Sequence, residues 1–254
     1  MSEINFQKSY PLDQEYESIK ERATKLIGAY LDEDPLISFD HVKKEVKFTS
    51  ERLIPLIPSG RPRVMLLFSN PHPYSIKQGM FLSPSRKNRE NLFWPIMGNA
   101  GWFSIPEGKR NPECLRNMFL RVTYSGAFEL CFYCYYAFPT RSPDDIRRIF
   151  KKRVLSQIIE PDARDEFRSE LNKMDVKAVV TFNKDIFNLV SEDKIERCLD
   201  RLNRGELVQS HISDLEKQIP LFLTYPTGWR YHKEYRRLRK ASLERIKAAI
   251  LQAV

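Results

Sequence analysis

Arg63-Val64-Met65-Leu66-Leu67-Phe68-Ser69-Asn70-Pro71-His72-Pro73 begins as an apolar run and ends in turn-forming residues. The run from Val64 to Phe68 is uniformly apolar, which predicts a strand buried on both faces. It stops at Ser69-Asn70-Pro71, so an amide side chain stands at the carboxyl end of that strand. Ligands of open α/β sheets sit at that end. A polar loop with Gly79, Phe81 and Pro84 is expected next. Asn91-Leu92-Phe93-Trp94 then opens a helix expected to reach about Ala100.

Three more core strands are expected: Ala127 to Phe138, Val176 to Phe182, and Ile219 to Tyr225, which Pro226 breaks. Val42 to Phe48 alternates Val42, Val46 and Phe48 with lysines and reads as a short or edge strand. Tyr16 to Leu31 carries apolar residues at helical spacing, and Asp32-Glu33-Asp34-Pro35 ends it. Ser142 as N-cap, Pro143 in first position and Asp144-Asp145 behind it start a helix reaching about Gln157, with another from Pro161 to Met174. A short helix is expected around Glu113 to Met118, with others from Asp185 to Val190 and Asp193 to Asn203. A terminal helix from His232 would bury Leu238, Leu243, Ile246 and Ile250. Strands alternating with helices predict an α/β fold: a three-layer sandwich whose mainly parallel, four-stranded central sheet is flanked by helices. Residues 1–254 read as one domain, with 1–62 as an N-terminal helical or extended addition.

A chain of 254 residues, 42% hydrophobic and 30% charged, has the composition of an ordinary soluble protein. It has no apolar run near the length that crosses a bilayer. The first residues lack the apolar core of a signal peptide. A cytoplasmic protein is expected, or a nuclear one in a eukaryote, as a monomer without a membrane partner. The net charge is +9, and from Arg230 onward eight basic residues face two acidic ones. That excess suits a polyanion such as DNA; the alternative is a solvated helix face.

Cys114, Cys131, Cys134 and Cys198 do not amount to a disulfide framework. Cys131 and Cys134 have C-x-x-C spacing, which zinc, iron–sulfur or redox chemistry uses. They lie on an expected strand, where residues three apart point to opposite faces. Packing is therefore expected at both, with no metal. No Gly-rich phosphate loop or nucleophile elbow is present.

The motif order resembles the uracil-DNA glycosylase superfamily, most of all its mismatch-specific and single-strand-selective branches. The resemblance is carried by Asn70-Pro71, Gly79 nine residues on, Phe81, Pro84 and Asn91-Leu92-Phe93-Trp94. It continues in Phe138-Pro139-Thr140, Asn183-Lys184 and Tyr225-Pro226-Thr227-Gly228. His72 stands where the family has Gly, and Tyr225 where the last motif usually has His.

The resemblance implies a DNA glycosylase without a cofactor, a single domain of that fold acting on duplex or single-stranded DNA. Such an enzyme flips the nucleotide out of the stack and hydrolyses the bond from base to sugar. Asn70 would hold the attacking water through its amide oxygen, with His72 or Tyr225 assisting the departing base. Phe81, beside Ser69 and Leu82, would bind the base by stacking. Ser75 and Thr227 would hold phosphate, and Thr227, Gly228, Trp229 and Arg230 would fill the gap in the duplex. Arg236, Arg237 and Lys240 of the basic tail would meet the backbone. Two rivals are a non-catalytic nucleic-acid-binding protein of the same fold and an unrelated α/β enzyme for a small anion.

Overall fold

β4 (Arg63–Phe68) is buried along its middle: Val64, Met65, Leu66 and Leu67 are each 0% exposed. Successive strand residues point to opposite faces, so both faces of β4 are buried. A computed structural model describes residues 3–28, 36–83, 91–108, 110–193, 196, 198–226 and 233–253, of which 233–236 by backbone alone. They form two compact units. One comprises Met1–Arg52, Ser69–Phe81 and Cys134–Glu170; the other comprises Leu53–Phe68, Leu82–Tyr133 and Leu171–Val254.

The second unit carries the main sheet, in the order β5-β4-β6-β8-β7. Its strands besides β4 are β5 (Glu129–Cys134, whose last residue belongs to the first unit), β6 (Val176–Thr181), β7 (Val208–His211) and β8 (Pro220–Leu223). β6 runs parallel to β4 and to β8, while β7 is antiparallel to β8. The chain thus has the expected α/β fold, with a mostly parallel sheet flanked by helices. The sheet has five strands rather than four. The fifth, β7, has only four residues, three of them polar, too short a run for periodicity to register. The helices of this unit are α3 (Phe93–Asn99), α4 (Pro112–Leu120), α7 (Lys184–Val190), α8 (Cys198–Asn203) and α9 (Lys233–Ala253). At the amino edge of the sheet Glu129, 1% exposed, accepts from Arg63 Nε (2.5 Å), Ser59 N (2.7 Å) and Ser59 Oγ (3.0 Å). A buried carboxylate this fully bonded is a fastener.

The first unit holds a three-stranded antiparallel sheet, β1-β3-β2, made of β1 (Asn5–Pro11), β2 (Ile37–Asp40) and β3 (Glu45–Glu51). The expected strand from Val42 instead begins at Glu45. Asp40 Oδ1 accepts from the main-chain N–H of Val42 and Lys43 at 3.1 Å each, which makes residues 41–44 a turn and leaves Val42 91% exposed. Alternation holds beyond it, with Val46 and Phe48 buried and Lys47 outward. Tyr10, Phe48, Phe138 and Phe150 form an aromatic core, ring centroids 4.8–5.0 Å apart between successive rings.

α1 (Tyr16–Ile27) of this unit buries Tyr16, Ile19, Ala23 and Ile27 and packs on α5 (Pro143–Val154). The expected continuation of α1 to Leu31 and Pro35 lies outside the described residues. A π-helical turn, Leu155–Ile159, joins α5 to α6 (Glu160–Lys173). The Glu160 N–H reaches back five residues to Leu155 O, widening the helix just before Pro161. A proline ring clashes with the carbonyl four residues back, so a widened turn lets α6 begin without a break. Two separate helices with a gap after Gln157 are therefore not what forms.

Candidate functional site

Ser69-Asn70-Pro71 leaves β4 and is tied to the turn that follows β5. Tyr136 N donates to Ser69 O (2.8 Å) and Thr140 N to Pro71 O (3.1 Å). Between these bonds the Asn70 amide Nδ2 donates to Thr140 O and Thr140 Oγ1, both at 2.9 Å, with Pro71 O at 3.3 Å. The Thr140 hydroxyl gives its own proton to Ser142 O at 2.8 Å, so towards Asn70 it can only accept. Every partner on that side is an acceptor, which sets which end of the amide faces Thr140. Oδ1 is left on the other side, where it accepts from Ser69 Oγ at 2.8 Å and keeps a lone pair unused by these bonds. Thr140 is 0% exposed and Asn70 is half-buried.

The stretch after Asn70 is a helix rather than the expected polar loop. α2 (Pro73–Gln78) is capped by His72, whose Nδ1 accepts from Tyr74 N at 3.1 Å. That bond fixes Nδ1 without a proton and puts the ring N–H on Nε2. Lost hydration, and secondarily the Arg141 guanidinium, lower the His72 pKa from its ordinary value, so the ring is neutral at pH 7. Gly79 ends α2 at φ 63°, a left-handed position suited to glycine. Ser75 is buried within the helix and Phe81 is 2% exposed, so neither presents its side chain at the surface.

In the second unit, Leu82 is half-buried at φ 52°, and its carbonyl accepts from Trp94 Nε1 at 3.0 Å. Asn91 Oδ1 accepts from Phe93 N at 3.0 Å and so starts α3. The strand order of this unit places a topological switch point between β4 and β6. Thr181 Oγ1 ties the strands together there by donating to Leu67 O at 2.9 Å. Half-buried Phe68 lies at the end of β4, stacked 5.5 Å from Phe182 and 6.2 Å from Phe132.

No family model matches the chain, and no curated protein matches it.

Tyr225 is 2% exposed, and its hydroxyl donates to Asn203 Oδ1 at 3.2 Å. Asn183 caps α7 by accepting from Asp185 N (2.8 Å) and Ile186 N (3.2 Å). Pro84, Thr227, Gly228, Trp229 and Arg230 lie outside the described residues, as does the side chain of Arg236. In the described part of α9, Arg237 and Lys240 are exposed, the latter 3.7 Å from Glu244. Arg239 is 1% exposed, and Lys247 Nζ donates to Gly101 O at 2.5 Å. Of the five basic side chains described on α9, Arg239, Lys240 and Lys247 are thus buried, paired or bonded within the protein, while Arg237 and Arg245 are exposed.

Cys131 and Cys134 are both buried, and burial pushes the Cys131 thiol up to about 12 and the Cys134 thiol well above its ordinary range. Among the described residues no cluster of His, Cys, Asp and Glu could hold a metal. None of their helices is long and apolar enough to cross a membrane.

Three residues beside these carry little functional signal in the sequence. Thr140 was legible as part of Phe138-Pro139-Thr140 but not as the partner of Asn70. Arg141 follows it directly, with only a lone basic residue as signal. Phe68 reads as strand core, and its place at the switch point depends on strand order.

Proposed function

We propose that this protein is a monofunctional DNA glycosylase that hydrolyses the N-glycosidic bond of a deaminated or mismatched base after flipping the nucleotide out. One observation carries the proposal: Asn70 Nδ2 is locked onto both oxygens of Thr140, which holds the amide oxygen in one orientation with acceptor capacity to spare. Water held on Oδ1 loses orientational freedom before the reaction, the kind of preorganisation that lowers a hydrolytic barrier. In the step proposed, the water oxygen bonds to the anomeric carbon of the sugar as the bond from carbon to base nitrogen breaks. The base departs with the bonding pair. His72, neutral and with Nε2–H outside its capping bond, donates a hydrogen bond to the departing base anion, and that anion takes up the proton released by the attacking water. The resemblance of the motif order to the uracil-DNA glycosylase superfamily supports the same reading, as does the placement of Asn70 just beyond β4.

A second reading is favoured by two burials. Phe81 and Tyr225 are each 2% exposed, whereas a stacking platform and a group assisting the leaving base both need to meet the nucleotide. A nucleic-acid-binding protein without base release would have no use for either.

Both readings are tested with purified protein and oligonucleotides, single-stranded and duplex, containing uracil, hypoxanthine, xanthine or a thymine mismatch. Alkali-labile abasic sites are expected with at least one substrate, and Asn70→Ala should slow their formation by about 10²-fold. Binding to all of them with no abasic sites selects the second reading.

A further inference from the structure

We infer that the exposed face of the α5 region, from Arg141 to Arg153, is the track that holds the phosphodiester backbone of the nucleic acid. This inference rests on the nucleic-acid reading above and moves the main contact away from the basic tail. Residues 141–153 contain six basic residues, Arg141, Arg147, Arg148, Lys151, Lys152 and Arg153, against Asp144 and Asp145. All six basic residues are exposed, while Ile146, Ile149, Phe150 and Val154 face the core.

The acids sit in the first turn of α5, where a helix favours them, and are shared by nearby arginines. Asp145 lies 3.7 Å from Arg141 and 3.8 Å from Arg148, and Asp144 lies 3.3 Å from Arg147. Arg153 stands 3.6 Å from Glu15. Lys151 and Lys152 have no acidic partner among the described residues. A solvated helix face would normally interleave both signs, as Lys240 and Glu244 do on α9. Here the second half of the face is of one sign.

The backbone adds an independent observation. Lys151 sits at φ 56°, ψ 171°, a conformation that is nearly the preserve of glycine. Holding lysine there strains the backbone. Its side chain is exposed, so core packing does not explain the strain. The kink interrupts the helical run between two consecutive lysines at the end of the charged face. Strained backbone of this kind collects at ligand-binding places.

The track also leads to the site. Arg141 follows Thr140, the partner of Asn70, and lies near enough to His72 to influence its charge. The helical part of this face before the kink, Pro143 to Phe150, is about 12 Å long, the span of about three phosphates on one strand.

The test measures binding of the full chain to a labelled 20-nucleotide oligonucleotide, single-stranded and duplex, over a range of sodium chloride. Wild type is compared with Lys151→Gln/Lys152→Gln and with Lys25→Gln/Lys43→Gln, an equal loss of charge at two other exposed lysines. Circular dichroism checks that each variant is folded. Removing two phosphate contacts should flatten the plot of log affinity against log salt by about 1.8 for duplex and about 1.4 for single strand. The control pair should leave the slope as it is. An unchanged slope in the Lys151/Lys152 variant, an equal change in both variants, or no oligonucleotide binding overturns the track. Competition by poly-glutamate as effective as by oligonucleotide of equal charge overturns nucleic acid as the partner. Abasic sites are scored in the same samples. Base release with an unchanged slope removes the track and leaves the enzyme. The expected slope change without base release leaves the track and removes the enzyme.

Discussion

Asn70 donates through one amide nitrogen to the carbonyl and hydroxyl oxygens of Thr140, each at 2.9 Å, across seventy residues of chain. The two side chains close the turn after β4 onto the turn after β5. The amide's direction follows, because Thr140 gives its only hydroxyl proton to Ser142. Loss of the donor should be costly. Asn70→Ala leaves the Thr140 carbonyl buried without that partner, at about 1–3 kcal/mol by urea unfolding. Asn70→Asp sets carboxylate oxygens against two acceptors and should be worse than alanine at pH 7. Its cost should shrink on acidification, because only the protonated acid can donate. An aspartate variant as stable as asparagine at pH 7 would contradict the assigned amide orientation.

Glu51, 2% exposed and with Oε2 lacking a hydrogen-bond partner, is held well above its ordinary value of 4.5 by burial. The sign follows from proton counting. The unfolded chain releases this proton as pH rises through 4.5, whereas the folded chain retains it. The contribution is complete below that pH and is lost progressively up to the higher folded pKa. Glu51→Gln keeps the shape without the charge. It should raise stability at pH 8 relative to pH 5 when compared with wild type, as read by thermal unfolding at both values.

Thiol chemistry should separate the cysteines. Cys131, Cys134 and Cys198 are buried and their thiols are all pushed up by burial, while Cys114 is half-buried. The thiolate is the reactive form. Native protein at pH 8 should therefore label quickly at Cys114 and slowly at the other three, with all four equal in denaturant. A chelator should not alter the rates. Fast labelling of Cys131 and Cys134 in the native state, or a chelator effect, would contradict simple packing at C-x-x-C.

Tyr124 is 1% exposed, and its hydroxyl both donates to Phe128 O (2.9 Å) and accepts from Leu130 N (2.8 Å). One side chain thereby satisfies two main-chain groups at the start of β5. Tyr124→Phe keeps the ring and orphans both. A loss of about 2 kcal/mol in urea unfolding is expected, much larger than for an exposed tyrosine. A neutral effect would mean that water or a shifted main chain takes over both bonds.

Much of the architecture was readable because it is local. The uniformly apolar run Val64–Phe68 and the β-branched, mostly apolar run Ala178–Phe182 name buried strands, and Ser142-Pro143-Asp144-Asp145 names a helix start. The cap at Ser142 forms in position, with an extended main chain at φ −152°, though no side-chain bond accompanies it. β1 and β2 went unread because their partner β3 organises them from a distance. α2 reads as a loop in the sequence, since six residues framed by His72 and Gly79 carry little periodicity. The basic tail drew attention to α9, yet Arg239 is buried and Lys247 bonds a main-chain carbonyl.

The chain alone dictates the alternation of strands and helices and sets Asn70 just past a buried strand. Both follow from hydrophobic period and turn chemistry over a few neighbours. Folding adds the order of the strands, the burial of Phe81 and Tyr225 and the direction of the Asn70 amide. Each of these depends on partners far away in sequence, such as Thr140 for Asn70, and short-range patterns carry no record of such pairings.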